Sequence, residues 1–298
     1  MLVIDESQVE DALTFADLIP VLEKALIDFS AGRVMQPVRR MLEVPGHGGL
    51  FASMPVIMGD LVGVKALTYY PANARRGVPT HHAQILLFNA ATGEPLATID
   101  GRLITEMRTA AVSALATRAM AAPDARSLAI LGSGVQARSH ALALALVRRF
   151  TDIRVWSPTP AHARRFAEAI GARPVATAEA AVRKVDVVVT ATAATQPILE
   201  GAWLKPGAHV NAVGAPRPTW RELDDAAMRN ALVVDSREAA LQESGDVILS
   251  GAPIVAELGE VLAGTRPVDA AGTTVFKSLG MAIEDIAAAA LVFARVTR

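Results

Sequence analysis

The chain has 298 residues, 52% of them hydrophobic, with Lys+Arg 29 against Asp+Glu 30 for a net charge of -1. That composition supplies a large core and excludes a disordered chain, and its balanced charge offers no basic surface for nucleic acid. The absence of cysteine excludes a disulfide framework, a thiolate metal site and a cysteine nucleophile, and fits a cytoplasmic protein. At roughly 100–200 residues per domain, two domains or one large one are expected.

Taken in chain order, Leu18, Val21, Leu22, Ala25, Leu26 and Phe29 recur at helical spacing ahead of Gly32, which predicts a helix over Asp17–Ala31. Val62–Tyr70 reads as a strand, and Gln84–Phe88 and Pro95–Ile99 as a hairpin around Thr92-Gly93. The first hundred residues thus predict a helix on a mostly antiparallel sheet. Ile104–Ala121 is a long helix ended by Pro123. The rhythm then changes. Strands are expected at Ser127–Leu131, Ile153–Ser157, Val185–Thr190, Ala208–Val213, Leu232–Asp235 and Thr273–Phe276, with helices at Val135–Arg149 and Ala161–Ile170 among them. Alternation of this kind predicts a parallel sheet covered on both faces. The last helix, Ala282–Val296, is an apolar 3.6-period segment that can return to the first domain. The N-terminus turns acidic at Asp5, unlike a signal peptide. The apolar stretches around Ala141–Val147 and Ala287–Ala294 fall short of the ~20 residues that span a bilayer, so no membrane association is expected.

Gly132-Ser133-Gly134-Val135-Gln136-Ala137 follows a strand and opens a helix, a G-x-G-x-x-A pattern in the setting that binds a dinucleotide. Gly132 allows the tight turn, Gly134 lets the backbone approach a pyrophosphate, and Ala137 lets helix pack on strand. The free N–H groups of the helix start then hold the anion. An NAD-preferring site carries Asp or Glu at the end of the second strand. Here that stretch is Trp156-Ser157-Pro158-Thr159, with Arg164 and Arg165 beyond, which favours NADP(H) and leaves NAD(H) as the alternative. The competing reading is that Ser-Pro-Thr serves only as a helix N-cap.

Arg39, Lys65 and Arg108 sit in apolar or small-residue surroundings, where an unpaired charge is costly. Either each has an ion-pair mate, with Glu106 for Arg108 and Asp60 for Lys65 as candidates, or the three converge on a substrate carboxylate. Arg offers a planar fork for that purpose, and Lys a point charge that can also act as an acid. His81 and His82 fall on opposite faces of a strand without Asp, Glu or Cys at ligand spacing, so no metal site is expected.

These residues, with Gln36-Pro37-Val38-Arg39, Gly63-Val64-Lys65, Thr80-His81, Arg108-Thr109-Ala110-Ala111, Asn211-Ala212-Val213-Gly214-Ala215, Arg217-Pro218-x-Trp220-Arg221-Glu222-Leu223, Glu243-Ser244-Gly245-Asp246 and Val275-Phe276-Lys277-Ser278-Leu279-Gly280, resemble the ornithine cyclodeaminase/mu-crystallin family, most closely its mu-crystallin branch. The resemblance implies an α/β subunit. Its Rossmann-like doubly wound domain (122–280) would bind the dinucleotide, and an α+β domain (1–121 with 281–298) would bind substrate and form a homodimer. It puts Arg39, Lys65 and Arg108 around the substrate carboxyl group as the catalytic set, and Glu243 beside the ligand. It puts Thr80, His81, Val135, Gln136, Ser157, Thr159, Thr192, Val213, Ser278 and Leu279 near the cofactor, along with the turn Gly132, Ser133 and Gly134.

Two departures narrow the expectation. Pro216 stands where ornithine cyclodeaminases carry an Asp that handles the substrate amine, and proline can neither bind an ammonium nor act as a base. Pro158 stands where the mu-crystallin branch carries an Arg, which weakens the NADP preference without supplying an acid for NAD. The expected activity is reduction of a small cyclic imino acid, pyrroline-2-carboxylate or piperideine-2-carboxylate, by NAD(P)H. The alternatives are an alanine-type amino-acid dehydrogenase and an NADPH-dependent ligand-binding protein without important turnover.

Overall fold

A computed structural model describes residues 1–298. In chain order its elements are β1 (Leu2–Ile4), α1 (Glu6–Ala12), α2 (Phe15–Ser30), β2 (Val34–Met35), β3 (Arg40–Val44), β4 (Gly49–Met58), β5 (Leu61–Tyr69), β6 (His81–Asn89), β7 (Pro95–Asp100), α3 (Arg102–Met120), β8 (Ser127–Leu131), α4 (Val135–Ala145), β9 (Asp152–Trp156), α5 (Pro160–Ala169), β10 (Arg173–Pro174), α6 (Ala178–Val182), β11 (Val187–Thr190), β12 (His209–Ala212), α7 (Asp225–Met228), β13 (Ala231–Val234), α8 (Arg237–Glu243), α9 (Gly245–Ser250), β14 (Ile254–Glu257), α10 (Leu258–Leu262), β15 (Thr274–Lys277) and α11 (Ala282–Val296). The chain forms two compact units, Met1–Arg108 with Met281–Arg298, and Thr109–Gly280. This division falls inside α3, earlier than the end of the helix, where the change of rhythm puts it. No helix is long and apolar enough to cross a membrane.

The first unit is a seven-stranded sheet in the order β1-β7-β6-β5-β4-β2, with β3 also paired to β4. Every pairing is antiparallel except β1 with β7. The expected hairpin is β6 and β7. The longest strand, β4, lies outside the sequence reading because Pro55 within the run argues against a strand. On β4, Ala52, Met54 and Val56 are buried while Phe51 and Ile57 are exposed, so one face is core and the other open. Helix α11 lies on the core face over β4, β5 and β6, and α2 packs on α11, with Leu18, Leu22 and Leu26 of α2 and Ile283, Ile286 and Val292 of α11 buried. Thr14 caps α2 by accepting from Asp17 N.

The position of α11 depends on one glycine. A Cβ at Gly63 of β5 would lie 2.5 Å from Ile286 Cδ1. Only a residue without a side chain lets the helix come this close to the strand. Lys65, two residues on, shares the face of Gly63 because strand side chains alternate.

The second unit is an eight-stranded, all-parallel sheet in the order β10-β9-β8-β11-β12-β15-β13-β14. The chain runs outward from β8 through β9 to β10, then crosses to β11. That reversal creates a crevice at the carboxyl ends of β8 and β11, where ligands of doubly wound sheets bind. Strands β8 and β11 are almost wholly buried, as their Val/Ile/Leu/Ala content dictates, and β12 is buried too, with its His209 and Asn211 hydrogen-bonded to Thr274 and Thr117. The helix expected over Val135–Arg149 stops at Ala145. Beyond it Arg148 turns its guanidinium onto the carbonyls of Thr117, Arg118, Ala121 and Ala122, capping the end of α3 instead of extending α4.

Candidate active site

In the first unit the cations form a cluster. Lys65 is fully buried, and its Nζ donates to Asp285 Oδ1 at 2.8 Å. Arg108, 5% exposed, donates from Nε to the same oxygen at 3.1 Å and from Nη1 to Glu284 Oε2 at 2.8 Å. The ion-pair mates considered from the sequence are therefore wrong. Arg108 pairs with Glu284 and Asp285, 176 and 177 residues away, and Glu106 belongs to Arg102. Lys65 pairs with Asp285 and not Asp60, because Asp60 sits in the turn at the far end of β5. Arg39 is half-buried and close enough to Lys65 to disfavour its charge.

The electrostatics follow from burial. Desolvation pushes the Lys65 pKa down to about 8; Asp285 opposes this, while Arg108 and Arg39 add to it. Burial pushes the Asp285 carboxyl up, but Arg108 and Lys65 outweigh it and hold it below the usual carboxylate range. His81 faces the same cluster. Burial, and then Lys65, press its pKa down to about 4, so it is neutral at physiological pH. His82 is exposed on the other face of β6, as strand alternation requires. Thr80 precedes the strand, its carbonyl accepting from Tyr70 N.

In the second unit Gly132 ends β8 with φ +130, and a Cβ there would meet Ala191 O at 2.4 Å, so both backbone and space demand glycine. Gly134 is the N-cap of α4 and is exposed, and a Cβ on it would meet nothing within 4 Å. No side chain caps this helix start, so its amides are free to bind an anion. Ser133 Oγ donates to Ser157 Oγ at 3.0 Å, joining the Gly turn to the end of β9. Thr159 is the N-cap of α5, but its hydroxyl makes no capping bond and is exposed. Among the buried polar atoms without a hydrogen-bond partner are Gln136 Oε1 at the start of α4 and Ser278 Oγ just past β15. Together with the open side of Gly134, these orphaned atoms fit a dinucleotide. Thr192 and Val213 follow β11 and β12, and Leu279 follows β15, all at carboxyl ends of strands. Glu243 is buried at the end of α8.

The sequence reading gave no role to a buried network at those same strand ends. Glu222 accepts from Thr190 Oγ1, Thr192 N, Thr192 Oγ1 and Gly214 N at 2.6–2.8 Å. Asp246 accepts from Glu222 N and Leu223 N, and Lys277 links Asp246 Oδ2 with the Gly214 carbonyl. A Cβ at Gly214 would lie 2.4 Å from the Glu222 carboxyl carbon. Asp235 likewise accepts from Leu279 N and Gly280 N. Asp285 and Glu284 were missed too. The available signal was two adjacent acids inside an otherwise apolar helix, the same signal that singled out the cations.

All 298 residues match the model of the ornithine cyclodeaminase/mu-crystallin family. The chain belongs to that family. It is 50% identical over 295 residues to the ketimine reductase mu-crystallin of Mus musculus, covering 96% of this chain and 94% of that one. It is 34% identical over 305 residues to a Delta(1)-pyrroline-2-carboxylate reductase of Bacillus cereus, with 96% and 94% covered. The Thermococcus litoralis Delta(1)-pyrroline-2-carboxylate reductase, solved in complex with NADH and L-proline, superposes with a TM-score of 0.95 at 35% identity, covering 100% of this chain and 98% of that one. The family assignment and the α/β fold read from the sequence therefore hold.

Proposed function

We infer that this family member is an NAD(P)H-dependent reductase of cyclic ketimines, turning pyrroline-2-carboxylate or piperideine-2-carboxylate into the cyclic amino acid. The observation that carries the reading is the pair of buried cations Lys65 and Arg108 on one carboxylate, Asp285, with the half-buried Arg39 close enough to Lys65 to act on its charge. Arg108 meets the protein through Nε and Nη1, and Lys65 spends one ammonium proton on Asp285. With Arg39 these donors bind the substrate carboxylate and fix the ring. Such positioning lowers a barrier by several kcal/mol. Reduction of C=N adds a hydride to carbon and a proton to nitrogen. A bound reduced nicotinamide supplies the hydride. The Lys65 ammonium, with a pKa of about 8, is the proton donor, well matched to work near neutral pH.

The turn Gly132–Val135 holds the cofactor pyrophosphate on the amides of α4. Gln136, Ser157, Thr159, Thr192, Val213, Ser278, Leu279, Thr80 and His81 line the rest of the cofactor, and Glu243 stands beside the ligand. NADP(H) is preferred, because β9 ends without a carboxylate and Thr159, Arg164 and Arg165 are exposed there. The open sheet face of the first unit, with Phe51 37% and Ile57 44% exposed, is the face across which a homodimer forms. A cytoplasmic setting suits an enzyme that draws on a regenerated pool of reduced nicotinamide.

The test is an NADPH-oxidation screen with five- and six-membered ketimines, NADH in parallel, and pyruvate plus ammonia as the rival substrate. Turnover of a cyclic ketimine well above that of pyruvate plus ammonia is expected; the reverse order would make the protein an amino-acid dehydrogenase. Ammonia release from ornithine with catalytic NAD should be a trace, because Pro216 offers no carboxylate to the substrate amine. Ammonia release at rates comparable to imine reduction would overturn that exclusion.

A further inference from the structure

Asp285 has two carboxylate oxygens in unlike situations. Oδ1 takes both the Lys65 ammonium and the Arg108 Nε–H, while Oδ2 is buried and bonded to nothing. A carboxylate recruited only to neutralise Arg108 would meet the guanidinium with both oxygens, since the two forks match. Glu284 takes Nη1 instead, leaving Asp285 turned so that a single oxygen serves Lys65 and Arg108 together. The backbone supports this arrangement from both sides. Gly63 admits α11 close to β5, two residues from Lys65, and Gln36 Oε1 accepts from Ile283 N at 2.7 Å, fixing the first turn of α11 beside the segment that carries Arg39.

We propose that Asp285 is a positioning residue for the reduction: through Oδ1 it holds the Lys65 ammonium against the Arg108 fork, and so sets the pH range in which Lys65 can deliver its proton. The proposal rests on the ketimine reductase reading and names the residue that governs its acid. The groups facing Lys65 are Asp285 on α11, Arg108 on α3, Arg39 ahead of β3 and His81 on β6; Glu284 reaches the cluster through Arg108. His81 is neutral in the working range. Of these groups, Asp285 alone both contacts Lys65 and favours its charge. Burial and the two guanidiniums act the other way.

The test is Asp285→Asn, which keeps the shape and removes the charge, with Asp285→Glu as the conservative partner. An opposite charge at this range moves a pKa by about 1–3 units. The alkaline limb of kcat/KM against pH should therefore move down by at least about one pH unit in Asp285→Asn. The loss should be tenfold or more above pH 8 and smaller in mild acid, with cofactor binding unchanged. Asp285→Glu should return the limb toward its original position. A uniform loss with an unmoved limb would make Asp285 a structural residue and overturn the proposal. NMR titration of carbon-13-labelled lysine, with the Lys65 signal assigned by its absence in Lys65→Arg, reads the same shift without turnover. A lowered Lys65 pKa in Asp285→Asn beside no imine reduction in the wild type would uphold the tether and refute the ketimine reading. An unmoved Lys65 pKa in an enzyme that reduces imines would refute the tether alone.

Discussion

Arg108→Lys separates a carboxylate clamp from a purely structural ion pair. The substitution keeps the charge and loses the fork. Arg108 makes two charged hydrogen bonds to the protein, at 2.8 Å to Glu284 and 3.1 Å to Asp285, and the proposed clamp adds one to substrate. A lysine ammonium on a shorter, non-planar tip cannot serve all three directions. Losing one hydrogen bond to a charged group costs about 1.5–3 kcal/mol. If a protein bond is lost, the melting temperature falls by about 3–12 °C, at ~2–4 °C per kcal/mol for a chain of this size. If the substrate bond is lost as well, kcat/KM falls by about ten- to a hundredfold, since ~1.4 kcal/mol is a factor of ten. Both effects are expected, because the proposed clamp adds a substrate bond to the two protein bonds. The assay is steady-state ketimine reduction on preparations whose melting curve and NADPH affinity are measured in parallel. NADPH binding should be nearly unchanged. Wild-type kcat/KM in a variant with a lowered melting temperature would refute the clamp and leave Arg108 as a structural ion pair.

Lys65→Met should lose more than Arg108→Lys, and the loss should appear in kcat as well as KM because the proton donor is gone; a loss confined to KM would reduce Lys65 to a carboxylate binder. Gly134→Val should abolish cofactor binding by calorimetry while the melting temperature holds, since a side chain there meets nothing within 4 Å. Gly132→Ala should destabilise the second unit outright, because φ is +130 and its Cβ would meet Ala191 O; equal melting temperatures for the two variants would contradict this assignment of roles. His140, hydrogen-bonded to Ser113 Oγ and the Gln136 carbonyl, and His209, between Thr274 Oγ1 and Asn211 Oδ1, are fully buried, and burial depresses both pKa values to about 4. Their unfolded forms protonate near pH 6.5, so the unfolded state binds more protons between about pH 6.5 and 4. Stability is therefore full above that window and falls through it as pH drops, by up to ~1.4 kcal/mol per pH unit for each histidine. Urea midpoints across this range should show the slope, and His140→Gln should flatten it; an unchanged slope would exclude His140 as a contributor.

The Gly132–Ala137 turn was legible because its constraints are local. A strand, a positive-φ glycine, a glycine open to a ligand and an alanine under a helix occupy consecutive residues, and the alternation after Pro123 declares a parallel sheet by its period. The cations Arg39, Lys65 and Arg108 were legible as anomalies, since charge in an apolar stretch needs a partner. What they pair with was not legible. Asp285 lies 220 residues from Lys65, and nothing near either residue marks the other. Strand β4 was missed because Pro55 inside the run argues locally against a strand, whereas pairing on both sides by β3 and β5 makes the strand secure.

Composition, period and turn chemistry thus determined the fold class, the dinucleotide turn and the identity of the unusual charges. Tertiary structure alone decided that Gly63 lets α11 onto β5, that one oxygen of Asp285 joins Lys65 to Arg108, and that Glu222, Asp246 and Lys277 tie together the loops at the strand ends. The physical reason is range. Backbone propensity and side-chain period act over a few residues, while the energy of a buried charge depends on whatever the completed fold brings within about 3 Å of it.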